Sequence, residues 1–226
     1  MCGRFNIIDD PLVQLIMQIT GVSDGWEIHT EYNIAPTQQV PVLTNDGEHW
    51  DLRQMRWWLT PSWSDGPSTR YSMFNAKSET LSKSRAYREP FKRRRCIVPA
   101  SGYYEWRREG EQKLPYYIEP EDDAGFAFAG IWDRWEGDGD VVESCTIITA
   151  AAPESLQHIH HRIPVHLSTE QAAQWVSETA SIDTLNTLMA SEIRTRIAIT
   201  PVSTVVNNAR NKDARCIEPL GPPQIV

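Results

Sequence analysis

The tightest constraint on the fold is a succession of short alternating runs, separated by tight turns, that read as β-strands. Val40 to Thr44, the turn Asn45-Asp46-Gly47, and Glu48 to Trp58 with Trp50 and Leu52 alternating predict a β-hairpin. Further strands are expected at Arg95 to Pro99, Gly102 to Arg107, Leu114 to Ile118, Phe126 to Trp132 and Val141 to Thr149, with Glu109-Gly110-Glu111 as a turn between two of them. Helices are fewer. Asp10-Pro11 followed by Leu12, Leu15, Ile16 and Ile19, then Gly21, spells a capped amphipathic helix with Pro in its first position. Ser78 to Arg88, Thr169 to Glu178 and Asp183 to Ser191 also read as helical, and Arg196 to Thr200 as a returning strand. Strands outnumber helices without alternating regularly with them, so an α+β fold is expected rather than a doubly wound sheet. No repeat or low-complexity linker divides the chain, which is expected to form one domain over 1–226.

Composition excludes several classes. A hydrophobic fraction of 40% in 226 residues supports a real core and rules out a wholly disordered chain. No apolar run approaches the roughly 20 residues of a membrane-spanning helix. Met1-Cys2-Gly3-Arg4-Phe5-Asn6 lacks the features of a signal peptide. A cytoplasmic protein with no membrane partner is therefore expected. Its four cysteines contain no C-x-x-C, which argues against a disulfide framework or a zinc ribbon.

Charge is unevenly spread. The net charge is −8, yet residues 83–95 hold seven bases against the single acid Glu89, a local +6. An acidic body with one dense basic segment points to an anionic partner, against the plainer reading of a solvated basic face. The acidic stretches Glu119 to Asp123 and Asp133 to Glu143 read as solvated loops.

Few residues combine the chemistry of a site. Loss of Met1 before the small Cys2 would leave an α-amine (pKa about 7.7–8.0) and a thiol (about 8.5) on adjacent carbons. A 1,2-aminothiol condenses with an aldehyde to an imine, and the thiol then closes on the imine carbon to give a thiazolidine. The second step is intramolecular and therefore favoured. The plainer alternative is a small buried hydrophobe near a chain end. Glu105, in Gly102-Tyr103-Tyr104-Glu105-Trp106, sits among aromatics, where desolvation would raise its pKa toward that of a general acid; strand alternation could equally point it to solvent. Asn75 could orient a polar ligand or cap a helix. His158, His160 and His161 precede Arg162, but no second cluster completes a metal shell, so no metal or other cofactor is expected. One histidine as an acid/base group and Arg162 as an anion contact fit better.

Taken in order, eight blocks resemble the SOS response-associated peptidase family of abasic-site processing proteins. They are Met1-Cys2-Gly3-Arg4-Phe5, Tyr32-Asn33-Ile34-Ala35-Pro36-Thr37, Trp57 through Pro61-Ser62-Trp63, Phe74-Asn75-Ala76-Lys77-Ser78-Glu79-Thr80 and Arg95-Cys96-Ile97-Val98-Pro99-Ala100. Gly102-Tyr103-Tyr104-Glu105-Trp106, His160-His161-Arg162-Ile163-Pro164 and Pro201-Val202-Ser203 with Val206-Asn207 complete the set. The resemblance implies mixed, partly barrel-like β-sheets with peripheral helices and a cleft for single-stranded DNA. It implies Cys2 as nucleophile, Asn75 as the positioning group, and Glu105 with His160 as the acid/base pair, acting on abasic sites to form a thiazolidine crosslink. Arg4, Lys77, Arg85 and Arg162 would contact phosphates, with Pro36, Trp63 and Trp106 beside the bases. The expected species is a monomer. Two other functions stay open, a thiol autopeptidase that releases Met1 and a non-covalent single-strand binder. Lys77 stands where the family often has Arg, and Ser101 where it often has Asp.

Overall fold

The structure, a computed structural model, describes residues 2–121, 124–190, 193 and 195–226. Its elements run β1 (Phe5–Ile7), α1 (Asp9–Thr20), β2 (Glu31–Ile34), β3 (Gln39–Asn45), β4 (Trp50–Trp57), β5 (Asn75–Lys77), α2 (Arg88–Arg93), β6 (Arg95–Ala100), β7 (Gly102–Glu109) and β8 (Gln112–Pro120). Next come β9 (Phe126–Gly137), β10 (Asp140–Ala151), α3 (Glu154–Gln157), β11 (Arg162–Pro164), β12 (His166–Leu167), α4 (Thr169–Val176), α5 (Ile182–Leu188), β13 (Ile197–Pro201) and β14 (Gln224–Ile225). The architecture is α+β. Strands β3, β4, β10, β9 and β6 close on one another into a five-stranded barrel, through antiparallel pairings except for the parallel β4–β10 contact. A second sheet runs in the order β14-β13-β8-β7-β1-β2.

The barrel explains the first hairpin. Val42 faces Arg53 and Leu43 faces Leu52 across β3 and β4, while Asn45 and Asp46 side chains accept turn hydrogen bonds from Gly47, Glu48 and His49 N–H groups. Helix α1 buries Leu12, Leu15, Ile16 and Ile19 and ends at Gly21, whose left-handed conformation (φ 71°) favours glycine. It begins two residues earlier than the sequence indicates. Asp9 holds Thr30 through its carboxylate, and Pro11 lies in the first turn rather than at its first position. Among the described residues no helix is long and apolar enough to cross a membrane.

Three expectations are corrected. Ser78 to Arg88 is not a continuous helix: it holds a single 3-10 turn at Ser78–Thr80, and α2 starts only at Arg88. Asp133 to Glu143 is not a solvated loop but the hairpin end of β9 and β10. Asp133 is buried there, accepting hydrogen bonds from the Ser62 and Arg134 N–H groups and pairing with Arg94 at 3.0 Å. In the other acidic stretch Glu119 and Pro120 belong to β8, whereas Asp122 and Asp123, like the Ser191 end of the expected last helix, lie outside the described residues.

The basic segment is divided by the fold. Arg95 is buried and donates to the carbonyls of Phe91, Lys92, Trp175 and Ser177, tying α2 to the end of α4. Arg94 neutralises Asp133. Two of the seven bases are therefore structural, while Lys83, Arg85, Arg88, Lys92 and Arg93 stay exposed. Arg95→Met strips several carbonyls of their donor and is expected to cost roughly 2–4 kcal/mol in denaturant unfolding, against less than about 0.5 kcal/mol for Arg93→Met.

Candidate active site

The site is built where the second sheet meets the barrel. Strand β1 pairs with β7, with Phe5 opposite Tyr103 and Asn6 opposite Gly102, and the Tyr104 N–H donates to the Arg4 carbonyl at 2.9 Å. Gly102 is required at this crossing, because a Cβ there would lie 2.5 Å from the Tyr117 ring. The Ser101 hydroxyl fastens the strand end by accepting from the Ile8 N–H at 2.8 Å. The antiparallel register therefore carries the residues before Arg4 along β7 past Tyr104, which brings Cys2 beside Glu105.

From the barrel side, β5 pairs in parallel with β10, Asn75 lying opposite Ile147. The Trp57 indole N–H holds the preceding Phe74 carbonyl at 2.8 Å, and its ring meets Phe5 edge-on at 4.9 Å. This fixes Asn75 so that its Nδ2 donates to the Cys2 carbonyl at 2.6 Å. The third approach is the segment between α3 and β11. There His160 Nδ1 lies 3.0 Å from the Arg162 N–H and 3.2 Å from the Arg162 carbonyl oxygen, so the ring is anchored to that backbone through Nδ1. His160 Nδ1 stands 3.9 Å from Glu105 Oε1.

Burial sets the electrostatics. Cys2 is fully buried, and desolvation followed by the nearby Glu105 carboxylate pushes its thiol well above the usual range. Glu105 is 3% exposed, and desolvation raises its carboxyl from an ordinary 4.5 to about 7. His160 is lowered to about 4, again chiefly by desolvation. At neutral pH the thiol and imidazole are uncharged, and the carboxyl is divided between acid and carboxylate. Such a group can both give and take a proton without a large penalty.

Glu105 and His160 open onto a cleft of about 420 Å³, also lined by Arg4, Trp106, Arg108, Lys113 and Asn207. Arg4 is aimed by Asn33 Oδ1 and the Val206 carbonyl, both at 2.7 Å, and its guanidinium lies 5.8 Å from the Trp106 ring centre. The Asn33 amide in turn donates to the carbonyls of Val206, Asn208 and Asn211, so one buried side chain joins β2 to the C-terminal segment. Asn207 Oδ1 accepts from the Trp106 indole at 2.6 Å.

The four expected catalytic positions, Cys2, Asn75, Glu105 and His160, thus converge, with Arg4 and Trp106 beside them. The remaining expected contacts are more dispersed. Arg162 is buried in a two-pronged contact with Glu79 (2.5 and 2.9 Å) and also donates to the Thr149 carbonyl, supporting the His160 segment from behind. Lys77 is exposed on β5, opposite Thr149. Trp63 and Arg85 stack at 4.0 Å on a separate groove of about 460 Å³. Pro36, half-buried between β2 and β3, lines neither cavity. Sequence reasoning missed Arg108 and Lys113, although their alternation with Trp106 along a hairpin carried the signal. Among the described residues no group of three or more His, Cys, Asp or Glu side chains is placed to share a metal ion.

A barrel-and-sheet protein with a buried cysteine, amide and carboxyl and a half-buried imidazole around one strand crossing defines a class of thiol-bearing sites with titratable neighbours. The chain belongs to the SOS response associated peptidase family, whose model matches residues 1–209. It is 34% identical over 223 residues to the abasic site processing protein YoqW of Bacillus subtilis, covering 96% of this chain and 99% of that one. It is 33% identical over 226 residues to the abasic site processing protein YedK of Escherichia coli, covering 97% and 100%. A crystal structure of a protein from Bacteroides thetaiotaomicron superposes with a TM-score of 0.83 at 25% identity, over 96% of this chain and 99% of that one.

The raised Glu105 pKa makes a prediction for stability. An unfolded carboxyl ionises near 4.5 while the folded one holds its proton to about 7, so this group's contribution is fully present at low pH and is lost as pH rises between those values. Glu105→Gln should abolish that fall, gaining about 3 kcal/mol on the parent at pH 8 and little at pH 4, as read by urea unfolding at both pH values.

Proposed function

We propose that this protein recognises abasic sites in single-stranded DNA and captures them covalently as a thiazolidine at Cys2 after Met1 is removed, shielding the lesion. The observation that carries the reading is the Asn75–Cys2 hydrogen bond at 2.6 Å, which fixes the residue bearing both nucleophiles beside the Glu105–His160 pair. The relatives named for abasic site processing match along nearly their whole length, which supports the same substrate here.

The chemistry follows from the protonation states. Protonated Glu105 gives its proton to the sugar ring oxygen as the closed hemiacetal opens to the aldehyde. Neutral His160 steadies the sugar oxygen through its Nε2 side. The Cys2 amine adds to the aldehyde carbon, and the carbinolamine takes up the proton released by the anomeric hydroxyl on ring opening and loses water to give an iminium. The Cys2 sulfur then bonds to the same carbon, its proton passing to the Glu105 carboxylate and the iminium electrons returning to nitrogen. The sum is aldehyde plus aminothiol going to thiazolidine plus one water. Arg4 and Trp106 line the entrance with charge and an aromatic face, and both are indifferent to base identity. Specificity then resides in the aldehyde.

Two outcomes are expected. A single-stranded oligonucleotide with one abasic site should give a band shift that survives heat and denaturant, absent with Cys2→Ser or with an intact strand. A shift that persists in Cys2→Ser, or none at all when Met1 is gone, would overturn the reading. The rate of capture should be bell-shaped in pH, rising as the amine (about 7.7–8.0) loses its proton and falling as Glu105 (about 7) loses its own. Glu105→Gln should slow capture by about 10²–10⁴-fold and remove the limb that falls at high pH.

A further inference from the structure

Two cations of the cleft are unused by the chemistry above. Arg108 and Lys113 face each other directly across β7 and β8, both are exposed, and both line the cavity shared by Glu105, His160 and Trp106. Alternation puts Arg108, two residues beyond Trp106, on the same face of the strand as that indole. Like charges directly opposed on a sheet are unfavourable, and several other cations of this acidic chain have carboxylate partners. The neighbouring Arg107 contacts Glu109 and lies 5.0 Å from the Tyr116 ring centre. Arg53 has Asp51 and Glu143, and Lys212 has Glu31. Arg108 and Lys113 have no carboxylate within ion-pair distance among the described residues.

Opposed positions of an antiparallel pair start only about 5 Å apart at the backbone, so a guanidinium fork and an ammonium there can close on one small dianionic or monoanionic group. We infer that Arg108 and Lys113 form a phosphate subsite that grips the DNA backbone at the linkage next to the nucleotide on Trp106. This rests on the reading of the cleft as the strand-binding site. The ligand is a phosphodiester of the strand that carries the lesion, and the hairpin is the arm that holds it. The contact gives register and affinity without reading sequence. It also gives a use to a like-charged cross-strand pair near the end of the hairpin.

The test uses the whole protein and strands carrying a tetrahydrofuran abasic analogue, which has no aldehyde and reports binding alone. One neutralised phosphate contributes about 0.7 to the logarithmic salt slope of single-strand binding, so from 50 to 200 mM salt the parent should lose about 2.6-fold more affinity than Arg108→Ala/Lys113→Ala. A series of strands, each with one neutral methylphosphonate at a successive linkage on either side of the lesion, then locates the contact. One linkage, on one side only, should weaken the parent as much as the double substitution does and should cost the double variant nothing further. An unchanged salt slope, or methylphosphonate effects that add to the double substitution at every linkage, would overturn the subsite. Lys113→Glu guards against a folding artefact. It turns the opposed pair into an attractive one, so its melting midpoint should rise while strand binding falls, and a rise without loss of binding would also overturn the subsite. Crosslinking of a true abasic strand by the parent is scored separately, so failure of covalent capture is not confused with failure of the subsite.

Discussion

The short antiparallel pairing of β1 with β7 is the contact on which the site depends. Only Phe5 and Asn6 are paired there, opposite Tyr103 and Gly102, yet this contact carries the N-terminal segment to the strand that bears Glu105. Its backbone bonds are reinforced from several sides. Ser101 holds Ile8, the Tyr117 hydroxyl reaches Asn6 at 3.2 Å, and Trp57 presses on Phe5. A chain end is ordinarily the least ordered part of a domain unless it is tied down in this way. The barrel contributes the second half of the geometry through β5, so a register error in either sheet would separate Asn75 from the Cys2 carbonyl.

Burial then converts that geometry into reactivity. In water the thiol, carboxyl and imidazole of these residues would titrate near 8.5, 4.5 and 6.5. In the closed junction of two sheets the charged form of each is disfavoured, and the carboxyl ends near neutrality while the other two stay uncharged. On the proposed function this serves a reaction whose ends are neutral and whose intermediates gain and lose protons repeatedly. The positive charge is kept at the rim of the cleft, on Arg4, Arg108 and Lys113, where it can meet a phosphate without ionising the interior. On the proposed function a chain of net charge −8 holds a polyanion through a local field.

Much of the fold was legible because its signals are local. The Asn45-Asp46-Gly47 turn, the apolar stripe of α1 and the strand runs from Arg95 to Thr149 each depend on neighbours within a few residues. The misreadings share the opposite cause. Asp133 looks like a surface acid until Arg94 and the Ser62 N–H, 39 and 71 residues away in sequence, are folded onto it. Arg95 looks like one base of a patch until α4 supplies carbonyls for it. In the site, Cys2, Asn75, Glu105 and His160 come from four separate blocks, and composition alone joins none of them. The resemblance carried by those blocks named them, and the pairings β1–β7 and β5–β10 explain why they meet. Arg108 and Lys113 were passed over because a charged hairpin end is ordinarily only a solvated one.

The central claim concerns which atoms bond, so the most direct measurement is mass spectrometry of the proteolysed adduct formed with an abasic oligonucleotide. A ring at the N-terminus predicts a peptide that begins at Cys2, carries the lesion's sugar remnant with the loss of one water, and is blocked to thiol alkylation at that residue without any borohydride reduction. A remnant found on a lysine, or one retained only after reduction of an imine while the Cys2 thiol remains open to alkylation, would contradict the account.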